Sequence, residues 1–403
     1  MKILLLNQCF YPDYVATAQY LTDLGLGLRE AGHEVTVLAS SRGYDNPQNR
    51  YSVKETWQGI RIRRIWTTSL GKKAKWRRFV DFGVFWLNAF FTLLCLPRFD
   101  VTVSLTSPPL ISTLGTAMAW LKGGAVVPWI MDLNPDEAVA AGWLKEGGIS
   151  ERVLSALQRW SFHRAARIIA LDRFMAERLM AKGVPEHVIH TDAPWSHDDA
   201  LQWDAVGRAN FRAKHGLTDK FVVMYSGNHS PCHPLDTVLE SALTLARDDR
   251  VAFLFVGGGS EFVKVKAFAA ERGLTNITCL PYQPLETLSA SLSSADLHLV
   301  IMGPPFVGMI HPCKVYNLLA LGLPFLAIGP QESHLTDLAA RLPDQRYARL
   351  ANFGDQEQLH RILLEAAEQG HLPPAEASQR LAADFSQRLL RRRLIDVITA
   401  VGS

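Results

Sequence analysis

Residues 302–329 read MGPPFVGMIHPCKVYNLLALGLPFLAIG, an order of residue types that predicts a loop, a short apolar helix and a buried strand. The spacing predicts a helix from near Pro312 through Lys314, Tyr316 and Asn317 to Gly322. Leu318, Leu319 and Leu321 form its apolar part, and Gly322 followed by Pro324 stops it. FLAIG (325–329) is the continuous apolar run that a parallel strand covered on both faces requires. The loop before the helix (Val307, Gly308, Met309, Ile310, His311) would aim backbone N–H groups at whatever adjoins it. Unpaired donors at a helix N-terminus, with the positive end of its dipole, suit a phosphate. The same three pieces also serve as plain scaffold near the end of an α/β domain.

Working outward, 403 residues are too many for one ordinary core, so two domains of about 200 residues each are expected. A hydrophobic fraction of 48% and a charged fraction of 20% describe a globular chain without a disordered block. The net charge of +3 argues nothing about nucleic acid. Cys9, Cys95, Cys232, Cys279 and Cys313 are scattered and show no C-x-x-C spacing, which fits a reduced, cytoplasmic protein without a zinc site. MKILLLN at the start reads as a first strand rather than a signal peptide.

KILLLN (2–7), a loop, a helix ending at Gly32 and HEVTVLAS (33–40) form the β–loop–α–β opening of a doubly wound sheet. The loop has no G-x-G-x-x-G, so a dinucleotide fingerprint is absent. Further strands are expected at DVTVSL (100–105), AVVPWI (125–130) and RIIAL (167–171), with irregular linker from 196 to 219. A second domain opens with FVVMYSGN (221–228), ending at Gly227 and Asn228, and a following helix that Asp236 or Thr237 could cap. VAFLFVGGGSEF (251–262) is a strand whose Gly-rich exit serves either tight packing or a phosphate. The expected division is 1–200, 201–385 and a terminal helix over 386–403, within a helical pattern from 378 to 401.

Residues 54–78 carry nine cations (Lys54, Arg61, Arg63, Arg64, Lys72, Lys73, Lys75, Arg77, Arg78) against one acid, Glu55. Residues 79–96 are then nearly all apolar, with Asp81, Asn88 and Thr92 recurring at helical spacing. Three readings stay open: a buried core helix, a helix whose aromatic face enters an anionic membrane surface over residues 72–96, and a spanning helix. Nucleic acid fits poorly, because the aromatics form a block instead of alternating with the cations.

Several segments together resemble glycosyltransferase family 4. Pro312, Cys313 and Lys314 match a Pro-x-Lys variant of its donor segment, which runs Glu, seven residues, Glu, apolar helix, Gly-x-Pro and strand. Thr106, Ser107, Pro108 and Pro109, and the run DLNPDEAVAAG (132–142), are similar to the branch adding amino and deoxy sugars in bacterial surface-polysaccharide assembly. Met309 and Asn317 stand where the family has its two acids.

The resemblance implies a GT-B fold, two doubly wound Rossmann-like domains facing each other across a cleft. It also implies transfer of a sugar from a UDP-sugar or other nucleotide sugar to a hydroxyl of a lipid-linked or other glycan, with retention and without a metal or other cofactor. It assigns Lys314 to the diphosphate and gives the donor Gly308, Met309, Ile310, His311 and Asn317. Gly227, Asn228, His229 and His233 would line the phosphates, the two histidines standing in for the family's Arg or Lys, and Tyr282 the nucleobase. Ala16 and Thr17 take the place of a Gly pair on the acceptor side, where Asp132, Asp136 and Glu137 are candidate carboxylates, Asp132 with a direct part in the chemistry. For Asp136 the competing role is a helix cap near Pro135, shared with Asn134. Two other readings remain, a catalytically degenerate binding partner of the same fold and a nucleotide-sugar epimerase.

Overall fold

The computed structural model describes residues 1–44, 46, 48–68, 75–196 and 201–402, the side chains at 75, 76 and 78 excepted. Two six-stranded sheets organise it. β1 (Lys2–Leu6), β2 (Glu34–Ser40), β3 (Lys54–Trp57), β4 (Ile60–Ile65), β5 (Val101–Ser104) and β6 (Ala125–Pro128) lie in the order β3-β4-β2-β1-β5-β6. Every pair in it is parallel except the β3–β4 hairpin. β7 (Ile168–Ala170) and β8 (Ile189–Thr191) pair in parallel beyond Trp129, which bridges to Ile169.

The second sheet holds β9 (Phe221–Asn228), β10 (Val251–Gly258), β11 (Ile277–Leu280), β12 (Leu297–Ile301), β13 (Phe325–Gly329) and β14 (Ala348–Asn352). Its order, β11-β10-β9-β12-β13-β14, is fully parallel and is that of a dinucleotide-binding sheet. The direction of winding reverses between β9 and β12. In such sheets ligands settle outside the carboxyl ends of the strands at that reversal. The chain divides into two compact units, Met1–Pro194 with Gly308–His311 and Arg388–Ser403, and Trp195–Val307 with Pro312–Gln387.

The organising stretch folds as its pattern dictates. The helix spans Lys314–Leu321, Gly322 ends it in the left-handed conformation at φ 71°, and FLAIG is β13. Elsewhere tertiary context changed the outcome. Half of the basic run, residues 54–65, is the edge hairpin β3–β4, with Gln58 and Gly59 at positive φ in its turn. There Arg64 is buried and paired to Glu55 at 2.6 Å. The expected linker contains a helix, Ala205–Lys214, capped by the Asp204 carboxylate accepting from Gly207 N–H. The terminal helical pattern breaks into Glu376–Ala383 and Gln387–Ala400. β14 answers no expectation; ARLAN alternates too little to stand out as a strand.

The apolar segment after the basic run is the helix Lys75–Cys95. Phe85, Ala89 and Leu93 are buried in the first unit's core beside Leu4, Leu6 and Leu38, while Phe79, Leu87, Phe91 and Leu94 are exposed. It is therefore neither wholly a core helix nor a spanning one: among the described residues no helix is long and apolar enough to cross a membrane. Lys72 and Lys73 lie outside the described residues.

In the second unit a buried ionic group locks the helix Ala205–Lys214 to the sheet. Asp296, just before β12, accepts from Arg208 (2.5 Å), Arg212 (2.9 Å) and the Val222 amide (2.8 Å). Burial alone would raise its pKa, but His371, both guanidiniums and the amide hold it well below the ordinary carboxylate range. Asp296→Asn leaves two buried guanidiniums without their anion and is expected to cost about 3–5 kcal/mol in urea unfolding. Because the folded pKa is depressed, the parent's contribution is present above about pH 4 and lost as pH falls below it, so the two proteins should converge in acid.

Candidate functional site

The carboxyl ends of β9, β10 and β12 are stitched together by the loop that follows β9. His229 N–H donates to Gly258 O and Glu261 N–H to His229 O, joining the loop to the end of β10. Gly303 N–H donates to Cys232 O, and His233 Nδ1–H to Ile301 O at 2.6 Å, joining it to β12. Glycine makes the first of these seams feasible. A Cβ on Gly257 (φ +136°) would sit 2.0 Å from Gly227 O, so no other residue fits between the paired strand ends. The Gly-rich exit of β10 thus serves the close approach of two strand ends.

Lys314 opens the helix Lys314–Leu321 at this place. Its ammonium is buried, has no hydrogen-bond acceptor among the described residues, and stands 3.4 Å from the centroid of the Tyr225 ring. A Cβ on Gly227 (φ +124°) would lie 3.4 Å from Nζ, so the bare backbone of β9 leaves the cation its room. Burial pushes the Lys314 pKa from 10.5 down to about 7. Asn317 lies one turn on, on the same face of the helix. A cation in a dry place, lacking an acceptor beside a helix N-terminus with no side-chain cap, is arranged for an anion to arrive.

The two histidines do something other than supply charge. His229 Nδ1–H donates to Gly227 O at 2.9 Å, and its ring is fully buried against Tyr225, Phe255 and Phe262. Burial first, then the nearby Lys314 ammonium, lowers His229 to about 4 and His233 to about 3. Both are neutral at physiological pH, and each spends its N–H on a backbone carbonyl, bracing the loop beside Lys314. His229 Nε2 is buried with no hydrogen-bond partner among the described residues. Asn228 is exposed at the end of β9, and Tyr282, 60% exposed, lays its ring against Gly258.

Gly308, Met309, Ile310 and His311 group with the first unit, so the structure does not gather them around Lys314 within one unit. Met309 and Ile310 are buried, and Met309 O accepts from Leu133 N–H at 2.7 Å. His311 Nδ1–H donates to Asp172 Oδ2 at 2.7 Å, and Asp172 Oδ1 caps the helix Arg173–Ala181 through Met175 N–H. Asp172 and Tyr225 are the residues sequence reasoning missed. Asp172 directly precedes a helical pattern, a cap signal that was there to find; Tyr225 is hidden inside an apolar strand.

On the acceptor side, Ala16 and Thr17 begin the helix Ala16–Glu30 at the carboxyl end of β1, without a side-chain cap. Asp136 Oδ1 is paired to Lys182 Nζ at 2.8 Å, and Glu137 Oε2 accepts from Asn134 Nδ2 at 2.8 Å. Neither Asn134 nor Asp136 caps the helix Asp136–Ala140, since Pro135 holds the cap position, and neither Asp236 nor Thr237 caps the helix Asp236–Thr244. Asp132 is half-buried in the loop after β6.

Comparison with known proteins sets the class. Residues 16–195 match the glycosyl transferase 4-like domain. Solved structures share the fold along nearly the whole chain. Anabaena HepE, crystallised with UDP and glucose, has a TM-score of 0.73 at 15% identity over 99% of this chain and 100% of its own. WaaG, a glycosyltransferase of lipopolysaccharide biosynthesis, has a TM-score of 0.69 at 16% identity over 98% and 99%. The chain thus has the GT-B fold, and its residues 16–195 match a glycosyl transferase 4-like domain. In sequence it is similar to an Escherichia coli K12 protein that carries the name colanic acid biosynthesis glycosyl transferase WcaI, 27% identical over 80% of this chain and 82% of that one. It is also similar to a Pseudomonas aeruginosa protein named as glycosyltransferase WbjE, 27% identical over 60% of each chain.

An anion seated on Lys314 raises the pKa of the ammonium again, so above about pH 7 binding must take up a proton. Calorimetry of UDP binding at pH 8, in buffers of different ionisation heat, is expected to show about one proton taken up, and at pH 6 a net release, since the ammonium is already charged there and the terminal phosphate, with a second pKa of about 6, gives up its own proton. Lys314→Met should abolish the difference between buffers at pH 8.

Proposed function

We propose that this chain transfers a sugar from a nucleotide diphosphate donor, a UDP-sugar, to a hydroxyl of a glycan acceptor during assembly of a bacterial surface polysaccharide. The observation that carries the reading is the buried Lys314 ammonium, without an acceptor among the described residues, at the winding reversal of the second sheet. The relatives' names support the class of product, and the UDP complexes of HepE support the nucleotide.

In this reading the second unit holds the donor. Lys314 binds the diphosphate as a point charge and offsets the negative charge that grows as the phosphate leaves, without a metal ion. Asn317 meets a ribose or sugar hydroxyl, and Tyr282 lies along the nucleobase. The first unit presents the acceptor, a lipid-linked or other glycan, beside Asp132. The bond from the anomeric carbon to the phosphate oxygen breaks while the bond to the acceptor oxygen forms on the same face. The acceptor's proton passes to the leaving phosphate, so configuration is retained and no covalent enzyme intermediate is required. An amino or deoxy sugar is the expected cargo, from the TSPP and DLNPDEAVAAG segments.

Met309 and Asn317, standing at the family's two acidic positions, favour one second reading, a binding partner that has lost transfer. Thermal stabilisation by nucleoside diphosphates, followed by turnover of UDP-sugars, separates the two: stabilisation without turnover of any donor would support the partner. For the enzyme, Lys314→Ala is expected to lower turnover about 10²–10³-fold with an unchanged circular-dichroism spectrum. Unaltered kinetics in that variant would remove Lys314 from the site.

A further inference from the structure

The helix Lys75–Cys95 shows solvent a face without a polar group. Val80, Gly83, Leu87, Phe91 and Leu94 recur three or four residues apart along its exposed side, with Leu87 59% and Phe91 56% exposed. The opposite side holds Phe85, Ala89 and Leu93 in the core, so the exposed stripe is not spare core surface. From 80 to 94 it runs about 21 Å, at about 1.5 Å per residue. The polar positions lie off the stripe; Asn88 Nδ2 donates to Trp66 O at 2.9 Å, which ties the exposed Trp66 to this helix.

At the other end, Lys122 Nζ donates to the carbonyls of Leu93 and Leu94 at 2.9 and 2.8 Å and so caps the helix. Trp120 and Leu121, just before Lys122 in the helix Ser112–Lys122, are exposed. Cations precede the stripe in sequence, Lys72, Lys73, Lys75, Arg77 and Arg78 against Asp81, while Arg98 and Asp100 follow it.

We propose that this face docks the chain on an anionic lipid bilayer, with the helix lying in the interface and its apolar stripe entering the acyl boundary. Charge selects the occupant. A second copy would offer the cation-rich start of the helix no net negative charge in either orientation of the two helices, whereas anionic headgroups complement it directly. The apolar stripe with an exposed tryptophan, Trp66, held at its margin is the pattern of an interfacial helix. The stripe would bind lipid whatever reaction the chain performs, so failure of the transferase reading leaves it standing.

Co-sedimentation of the full chain with phosphatidylcholine vesicles, with and without phosphatidylglycerol, tests it. Binding is expected to the anionic vesicles, to fall at least about tenfold at high salt, and to be weak on the neutral ones. The double variant Leu87→Glu/Phe91→Glu, both sites being exposed, should keep the parent's unfolding midpoint and lose about tenfold or more in vesicle affinity. Equal binding by the double variant, or no binding by the parent, overturns the proposal. So does a parent that is dimeric without lipid, ignores vesicles and becomes monomeric on the double substitution.

Discussion

A lysine ammonium kept from water, with no acceptor among the described residues, is the constraint around which the strand ends of the second unit are built. Removing a charge from water is costly, and the fold meets that cost only in part, through the face of Tyr225. The remaining deficit appears as a pKa near 7 instead of 10.5. Every neighbour is consistent with leaving the place to an incoming anion. Bare Gly227 makes room, Gly257 lets the two strand ends meet, and the loop between them is tied to β10 and β12. A carboxylate here would neutralise the cation and close the site.

The same constraint explains the histidines. Two imidazoles near a buried ammonium can be tolerated only if they are neutral, and each spends its one N–H on a backbone carbonyl, Gly227 O and Ile301 O. Their role is to hold the shape of the loop. Lys314 itself is placed by the start of a short helix whose far end is fixed by Gly322.

Much of the fold was legible because its signals are local and redundant. Buried parallel strands such as FVVMY and FLAIG read as apolar runs, and Gly322 marks its helix end in the letters alone. Strands that escaped notice lie at or next to a sheet edge: β3 is an edge, its neighbour β4 is rich in cations, and the edge strand β14 alternates poorly, since an edge need not be apolar on both faces. Lys314 at its helix start and the glycines at the strand ends could be picked out in the letters, because backbone position sets their surroundings. The neutral state of His229 and His233 could not, because protonation depends on burial, which no spacing reveals. Asp136 and Glu137 were candidates by type, but their partners, Lys182 and Asn134, were set by how the loop folds back. The pairing of His311 with Asp172 joins residues 139 apart, which sequence alone does not announce.

A co-crystal structure with UDP addresses the central claim most directly. The account requires a phosphate oxygen within about 3 Å of Lys314 Nζ, at the carboxyl ends of β9 and β12. Nucleotide bound elsewhere, or bound here with Lys314 still turned onto Tyr225 and touching no phosphate, would contradict it.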